Sequence, residues 1–509
     1  MLTASSETQP AEGPHDSAPE ELKRRTAQGA LVSAACQVAT LGLRLASMVI
    51  LARLLTPEDF GLVGMVMAIT GFVALFKEAG LSDAAIQSAS LNQDQMSTLF
   101  WINVTLGCGL ALVCAASSHL VADFYGEPRL VAIMLALATS FVFTGLATQH
   151  RAVLARYLRI RAVAVIEILA LVASIVVSIA LAAAGWGYWA LVVGAVILPA
   201  CSAAGTWLIS GWVPGRPRRN CGVGKLVRYG GIVTLNSLVV YVAYNAEKVL
   251  LGRYWGAEAL GIYGRAYQLV NMPTEGLKSA TGLVAFAALS RLQDQPDRFR
   301  SLFIRLYSAF LSAALPITAA CALFAEDIIL VFLGPKWHDV TGIFRLLSPT
   351  ILAFSLVNPF GWLLFAIGRV GRSLKIALLI APVTLLAFAL GIGYGPQGVA
   401  VGFSTAMLVL VAPIILWAKH DTNITSRDVV WAVAHPTGSV LIGAALAILL
   451  WPWISSIQLP LLRLTVACSV MFGGHFIALL VVFRQAPVYA RMLHQAGLWR
   501  SQGTAVRGE

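Results

Sequence analysis

Arg44 is the residue in this chain whose surroundings most constrain its chemistry. It lies inside a long apolar run, on a line with Ser33, Gln37, Thr40 and Ser47. The spacings of 4, 3, 4 and 3 put these groups on one face of a helix. Arg44 is eleven residues before Leu55, about 16 Å at the helical rise, which places it near the middle of a bilayer. A guanidinium at that depth costs at least ~2.5 kcal/mol unless something solvates it. It must therefore face protein, water or an anion. The polar face that accompanies it favours a cavity wall over an ion pair with a neighbouring helix.

Two further stripes follow. Thr234, Ser237, Tyr241, Asn245 and Lys248 share a face, with Glu247 beside it. Glu247 and Lys248 lie about 7 Å from the near helix end and are expected to reach the interface or to pair locally. Gly264, Gln268, Asn271 and Glu275 share another face, with Arg265 at its edge and Pro273 interrupting the backbone ladder. Lipid would not tolerate that helix face, so it lines a cavity or a helix interface. The candidate binding residues are Arg44, Arg265, Gln37, Gln268, Asn271 and Lys248, a set suited to non-covalent recognition. No carboxylate pair, Ser/His/Asp order or phosphate loop stands out, so no catalytic or metal-binding residue is assigned and the chain is read as a non-enzyme. Asn103, Gln149, His150, Glu167, Arg345, His435 and His475 are isolated polar groups, read as satisfied structural residues.

The elements that must position these side chains are membrane helices. Of 509 residues, 58% are hydrophobic and 12% charged, against about 25% charge in a soluble domain, and the mean hydropathy is +0.79. The fold class is an all-α polytopic membrane protein. Apolar runs of roughly 20 residues predict fourteen spans, near 29–53, 61–78, 96–117, 130–152, 162–184, 187–209, 229–252, 259–281, 302–324, 340–366, 373–392, 397–418, 432–453 and 463–483. The net charge of +12 does not imply nucleic acid, because 27 of the 36 Lys and Arg fall on one set of span ends. By the positive-inside rule that set is cytoplasmic, and with an even number of spans both termini are too. Trp186, Tyr188, Trp189, Trp255, Trp337, Trp451 and Trp453 collect at the opposite ends as an interfacial belt. Residues 1–28 are polar and expected to be a disordered cytoplasmic tail, with no signal-peptide pattern. The seven cysteines form no metal-type pair and are read as free thiols packed among apolar residues.

The chain also repeats itself. At an offset of 200 residues, Ala52-Arg-Leu-Leu-Thr-Pro-Glu-Asp-Phe-Gly-Leu-Val-Gly64 lies over Gly252-Arg-Tyr-Trp-Gly-Ala-Glu-Ala-Leu-Gly-Ile-Tyr-Gly264 without a gap. Each copy is a helix, a short charged turn and a second helix that starts with glycines. In the first copy that second helix carries a small-residue stripe, Gly61, Gly64, Ala68 and Gly71, suited to close packing. The expected organisation is a first lobe at 29–209, a basic linker at 210–228, a second lobe at 229–418, two further helices in 419–483 and a cytoplasmic tail at 484–509. The two lobes are expected to be related by a pseudo-twofold axis.

Leu51-Ala-Arg-Leu-Leu-Thr-Pro-Glu-Asp-Phe-Gly61 resembles the first-helix signature of Wzx-type polysaccharide flippases, members of the multidrug/oligosaccharidyl-lipid/polysaccharide exporter superfamily. Glu247-Lys-Val-Leu-Leu-Gly-Arg-Tyr-Trp-Gly256, Leu260-Gly-Ile-Tyr-Gly-Arg-Ala-Tyr267, Pro273 and Ala366-Ile-Gly-Arg369 are similar to the same family; this chain has Glu247 where relatives usually have Asp. The resemblance covers residues 29 to about 420. It implies two six-helix lobes around a central cavity with alternating access, two additional helices, and an undecaprenyl-pyrophosphate-linked oligosaccharide as cargo. Arg44 and Arg265 would then hold the diphosphate. It further implies a bacterial inner membrane location and a polysaccharide polymerase and export machinery as partners. No cofactor is expected, with a proton or sodium gradient as the candidate driving force. Three alternatives stay open: a lipid II flippase, a drug/cation antiporter of the same superfamily, and a membrane glycosyltransferase or polymerase.

Overall fold

The computed structural model describes residues 19–77, 93–157, 159–217 and 224–485, and among these every regular element is helical. The first half comprises α1 (Pro19–Leu54), α2 (Pro57–Lys77), α3 (Gln93–Tyr125), α4 (Arg129–Arg156), α5 (Ile160–Ala183) and α6 (Trp189–Ser210). The second half comprises α7 (Gly224–Ser290), α8 (Pro296–Leu323), the short α9 (Ala325–Phe332), α10 (Val340–Ala366), α11 (Val370–Gly391) and α12 (Gly395–Lys419). After these come α13 (Ser426–Leu449), the single turn α14 (Trp451–Ile454) and α15 (Pro460–Ile477). Eleven stretches of the described residues are long and apolar enough to cross a membrane. This is a multi-pass membrane protein. The set differs from the fourteen expected spans in two places: Gly371–Lys419 takes in both α11 and α12, and the two arms of α7, which carry polar stripes, are not in it.

Three boundaries depart from expectation. α1 starts at Pro19, so residues 19–28 are helical rather than a disordered tail; Pro at the first position followed by Glu, Leu, Lys, Arg, Ala and Gln favours that extension. α7 starts at Gly224, inside the expected linker. The seventh and eighth spans are two helices, the two arms of α7, that meet at Gly256 with no longer loop between them; its φ of 81° and ψ of −175° are non-helical and suit glycine. The corresponding turn in the first copy is built differently. There Thr56 and Asp59 form reciprocal hydrogen bonds that cap α2, with Thr56 N donating to Asp59 Oδ2 at 2.9 Å and Asp59 N to Thr56 Oγ1 at 3.3 Å. Asp59 has no counterpart at Ala259, so the second copy turns on backbone freedom instead of a cap.

In the first lobe α4 packs on α3 and α6, and α5 on α6 and α1. In the second, α10 is central, packed by α7, α8 and α12. Between the lobes the dominant contact is α2 against α7, and one continuous apolar core runs through both. α13 lies on α8 and α15 on α13, with a small separate core around Phe324, Ala447 and Met471. Buried His475 fastens that layer, contacting Ser439 Oγ at 3.0 Å and the Ser312 carbonyl at 3.0 Å. Arg463 pairs with the buried Asp327. The first part of the linker is fixed as well: Trp101 Nε1 donates to Gly215 O at 2.9 Å, Gly215 N to Ser97 Oγ at 2.9 Å, and Trp212 Nε1 to Gln93 Oε1 at 3.0 Å.

Candidate functional site

The two turns of the repeat lie together at one end of the bundle and cross. A Cβ on Gly61 would overlap the Ala257 carbonyl, and a Cβ on Gly261 would overlap the Pro57 carbonyl. Pro57 and Ala257, like Gly61 and Gly261, are 200 residues apart, so the contact is reciprocal in the repeat. Glycine is required at both positions because the opposing atoms are backbone and cannot rotate away. Around this crossing, Trp337 Nε1 donates to Ala52 O at 2.7 Å and Arg53 Nη2 to Val331 O at 3.0 Å. At the rim Arg129 bridges Glu58 at 2.6 Å and Glu127 at 2.7 Å. The hydrogen bond from Arg129 holds the Glu127 carboxyl below the usual carboxylate range. The turn end is closed.

Behind the closure is a cavity of about 1190 Å³, above the ~300–1,000 Å³ of ordinary small-molecule pockets. Its wall comes from α1, α2, α5 and both arms of α7. Every candidate binding residue lines it: Arg44, Arg265, Gln37, Gln268, Asn271 and Lys248. Thr40, Gly264 and Glu275 from the same stripes line it too, whereas Ser47 does not. The side chains of Ser33, Thr234 and Ser237 lie outside the described set. The helix rise puts Arg44 and Arg265 at about the same depth, roughly 12–15 Å from the turn end, with Glu275 near 27 Å. Glu167 lies about 10 Å from the opposite end of α5. The cavity is therefore cationic toward its closed end and carries its two carboxylates toward the other.

The arginines differ in how they are held. Arg44 is exposed to the cavity, and among the described residues it has no hydrogen-bond or ion-pair partner. Arg265 is half-buried and also lacks an acid; its guanidinium lies over the Phe60 ring at 3.9 Å, a cation–π contact. Neither shows the ion pair that a purely structural arginine would need. Lys248 does bond locally, to Asn245 Oδ1 at 2.6 Å, and sits 5.9 Å over the Tyr267 ring. Glu247 corrects the expectation made for it. It neither reaches the interface nor pairs with Lys248; it is buried, and neither carboxylate oxygen has a hydrogen-bond partner. Adjacent residues on a helix point about 100° apart, so Glu247 turns into the lobe while Lys248 turns to the cavity.

Some lining residues went unmarked by the polar stripes. Phe60 and Tyr267 face the cavity, and so does Glu167, which pairs with Arg151 rather than standing as an isolated structural group. Phe60 sits at four-residue spacing with Gly64 and Ala68, so the face itself was legible. His150 has one ring nitrogen on Ser210 Oγ at 2.8 Å, while the other is buried without a partner.

Two lobes joined at a reciprocal helix crossing, with a polar cavity behind it, define a membrane transporter fold. The structure of the lipid II flippase MurJ in an inward closed conformation matches it with a TM-score of 0.73, over 90% of this chain and 99% of that one, at 13% identity. The polysaccharide biosynthesis protein family matches residues 50–341, and the chain belongs to that family. It is 26% identical over 395 residues to the lipopolysaccharide biosynthesis protein WzxC of Escherichia coli K12, covering 76% of this chain and 80% of that protein. It is 27% identical over 305 residues to the teichuronic acid biosynthesis protein TuaB of Bacillus subtilis, covering 59% and 62%. The resemblance to Wzx-type flippases read from Leu51–Gly61 and Glu247–Tyr267 is borne out.

Proposed function

We propose that this protein moves a lipid-linked oligosaccharide across the bacterial inner membrane for polysaccharide biosynthesis. The observation that carries the reading is the pair of arginines, Arg44 and Arg265, that have no acid partner among the described residues and share one large polar cavity at mid-membrane depth. A diphosphate drawn from the headgroup region needs fixed cations, and guanidinium groups bind its oxygens in a bidentate manner. Gln37, Gln268 and Asn271 supply donors and acceptors for sugar hydroxyls. The lipid tail stays in the bilayer. The closed end carries few Lys and Arg and is the periplasmic one on the positive-inside rule, so the state described is shut to the outside. Both termini are cytoplasmic, and the glycan is handed to a polymerase.

The cationic floor disfavours a drug cation as cargo. Lipid II shares the diphosphate, but the likeness to MurJ is one of fold, whereas the relatives by sequence are named for lipopolysaccharide and teichuronic acid biosynthesis. The deciding experiment is deletion of the gene with analysis of inner-leaflet lipids. An undecaprenyl-diphosphate-linked oligosaccharide should accumulate; accumulation of lipid II, or no accumulation with normal surface glycan, would refute the assignment. Reporter fusions after Gly185 and Gly395 should read periplasmic, and one after Arg219 cytoplasmic.

A further inference from the structure

The crossing that closes the turn end has two equivalent flanks under the repeat, and the chain fills them differently. On one flank Met65 and Leu260 pack together over Gly252, and both are buried. The residues 200 positions away are Arg265 and Phe60. They form the other flank, with the guanidinium 3.9 Å from the ring centroid. One flank is an apolar contact, Met65 and Leu260 with the Tyr125 ring alongside, of which only Leu260 lines the cavity; the other is a cation–π contact between the lobes, and both of its members line the cavity. Phe60 continues into the seal itself. Its ring lies 5.5 Å from that of Trp337, which donates to the Ala52 carbonyl of the opposite lobe. Guanidinium, ring, indole and carbonyl thus form one chain from the cavity floor to the closure.

An aliphatic pair would close this flank as well as it closes the other, without bringing a charge into the membrane. The charge gains a purpose if something in the cavity competes for it. A diphosphate offers a guanidinium charge-assisted hydrogen bonds, which are stronger than a ring face. We propose that Phe60 is a positioning residue that clamps Arg265 in the closed state, and that an anionic diphosphate in the cavity opens the outer seal by taking Arg265 from the Phe60 ring. This rests on the proposed function, since it requires a diphosphate in the cavity. The role assigned to Phe60 is exerted through Arg265.

The test uses the full chain, with its native cysteines replaced, carrying spin labels at Leu54→Cys and Tyr254→Cys. These are exposed residues at matching places in the two turns. The probe is farnesyl diphosphate, with farnesol as the uncharged control. In the parent, the diphosphate should lengthen the interlobe distance and farnesol should not. In Phe60→Leu, which installs the residue found at the repeat-related position, the diphosphate should still bind. The closed-to-open ratio without probe should fall by roughly 2- to 30-fold, the range of one cation–π contact, and the response to the probe should shrink accordingly. Phe60→Tyr should restore it, which a loss of packing alone would not predict. Binding in the parent with no change of distance would overturn the clamp, as would an unchanged response in Phe60→Leu. Failure of the diphosphate to bind the parent at all would overturn the cargo assignment and the clamp with it. Binding that Arg44→Ala leaves intact would count against the cargo assignment alone.

Discussion

The first repeat pair, α1 and α2, and the second, the two arms of α7, start from the same sequence pattern and end in different mechanical states. α1 is loosely held: its main neighbour is α5, and Arg44 projects into open cavity. The second arm of α7 is packed on α2, and its arginine is gripped by Phe60. The joints differ in the same sense, a Thr–Asp cap with proline in one copy and a bare glycine in the other. The comparison teaches that an internal repeat fixes where two elements meet but not what each contributes. One arginine has no partner among the described residues, and the other lies on the Phe60 ring beside the closure.

That contrast can be broken by substitution, and the largest effect should come from the free arginine. Arg44→Ala should lower cargo affinity by roughly 10- to 100-fold, the value of a lost charge-assisted contact, with unchanged membrane abundance. Arg44→Lys should recover part of the loss, because a point charge replaces a planar fork. Glycan export and protein abundance measured together decide it: a fall in abundance would instead mean that Arg44 supports the fold.

Next come the glycines of the crossing. Gly61→Val and Gly261→Val should weaken closure by about 1–3 kcal/mol each, the usual cost of overpacking, and by similar amounts because their contacts are reciprocal. Gly264→Ala should change it less than about 2-fold, since no atom lies within 4 Å of its added Cβ. Accessibility of an outer cysteine to an impermeant thiol reagent reads all three. Equal effects from Gly261→Val and Gly264→Ala would show that the crossing is not the gate.

Arg265→Met places at this flank the residue its repeat mate already has. The seal should then be aliphatic on both sides, abundance should hold, and export should fall by less than with Arg44→Ala. A larger export defect than Arg44→Ala would reverse the ranking of the two lobes.

The smallest effect concerns Glu247. Because its carboxyl oxygens have no partners, replacing it by Met should leave thermal stability unchanged or raise it by up to ~2 kcal/mol. A clear loss of stability in a melting experiment would mean that the carboxyl has a favourable partner in the folded protein.

The sequence by itself determined the membrane class, the repeat and the polar stripes. Each follows from local facts: runs of apolar residues, a 200-residue self-match and the 3.6-residue period of a helix. All six proposed binding residues are cavity lining for the same reason, since a face that lipid cannot solvate has few other places to go. The sequence did not reveal that Arg265 lies over the Phe60 ring, that Trp337 reaches Ala52, or that Glu247 turns inward without a hydrogen-bond partner. Nor did it show that the seventh and eighth spans meet directly at Gly256, because a single glycine marks a bend without fixing where the helices on either side end. These features depend on contacts between residues far apart in the chain: α2 against α7 for Phe60 and Arg265, and the end of α1 against Trp337 for Ala52. Periodicity says that a helix has a side facing protein. Only the packed lobes decide which atoms stand on the far side of it.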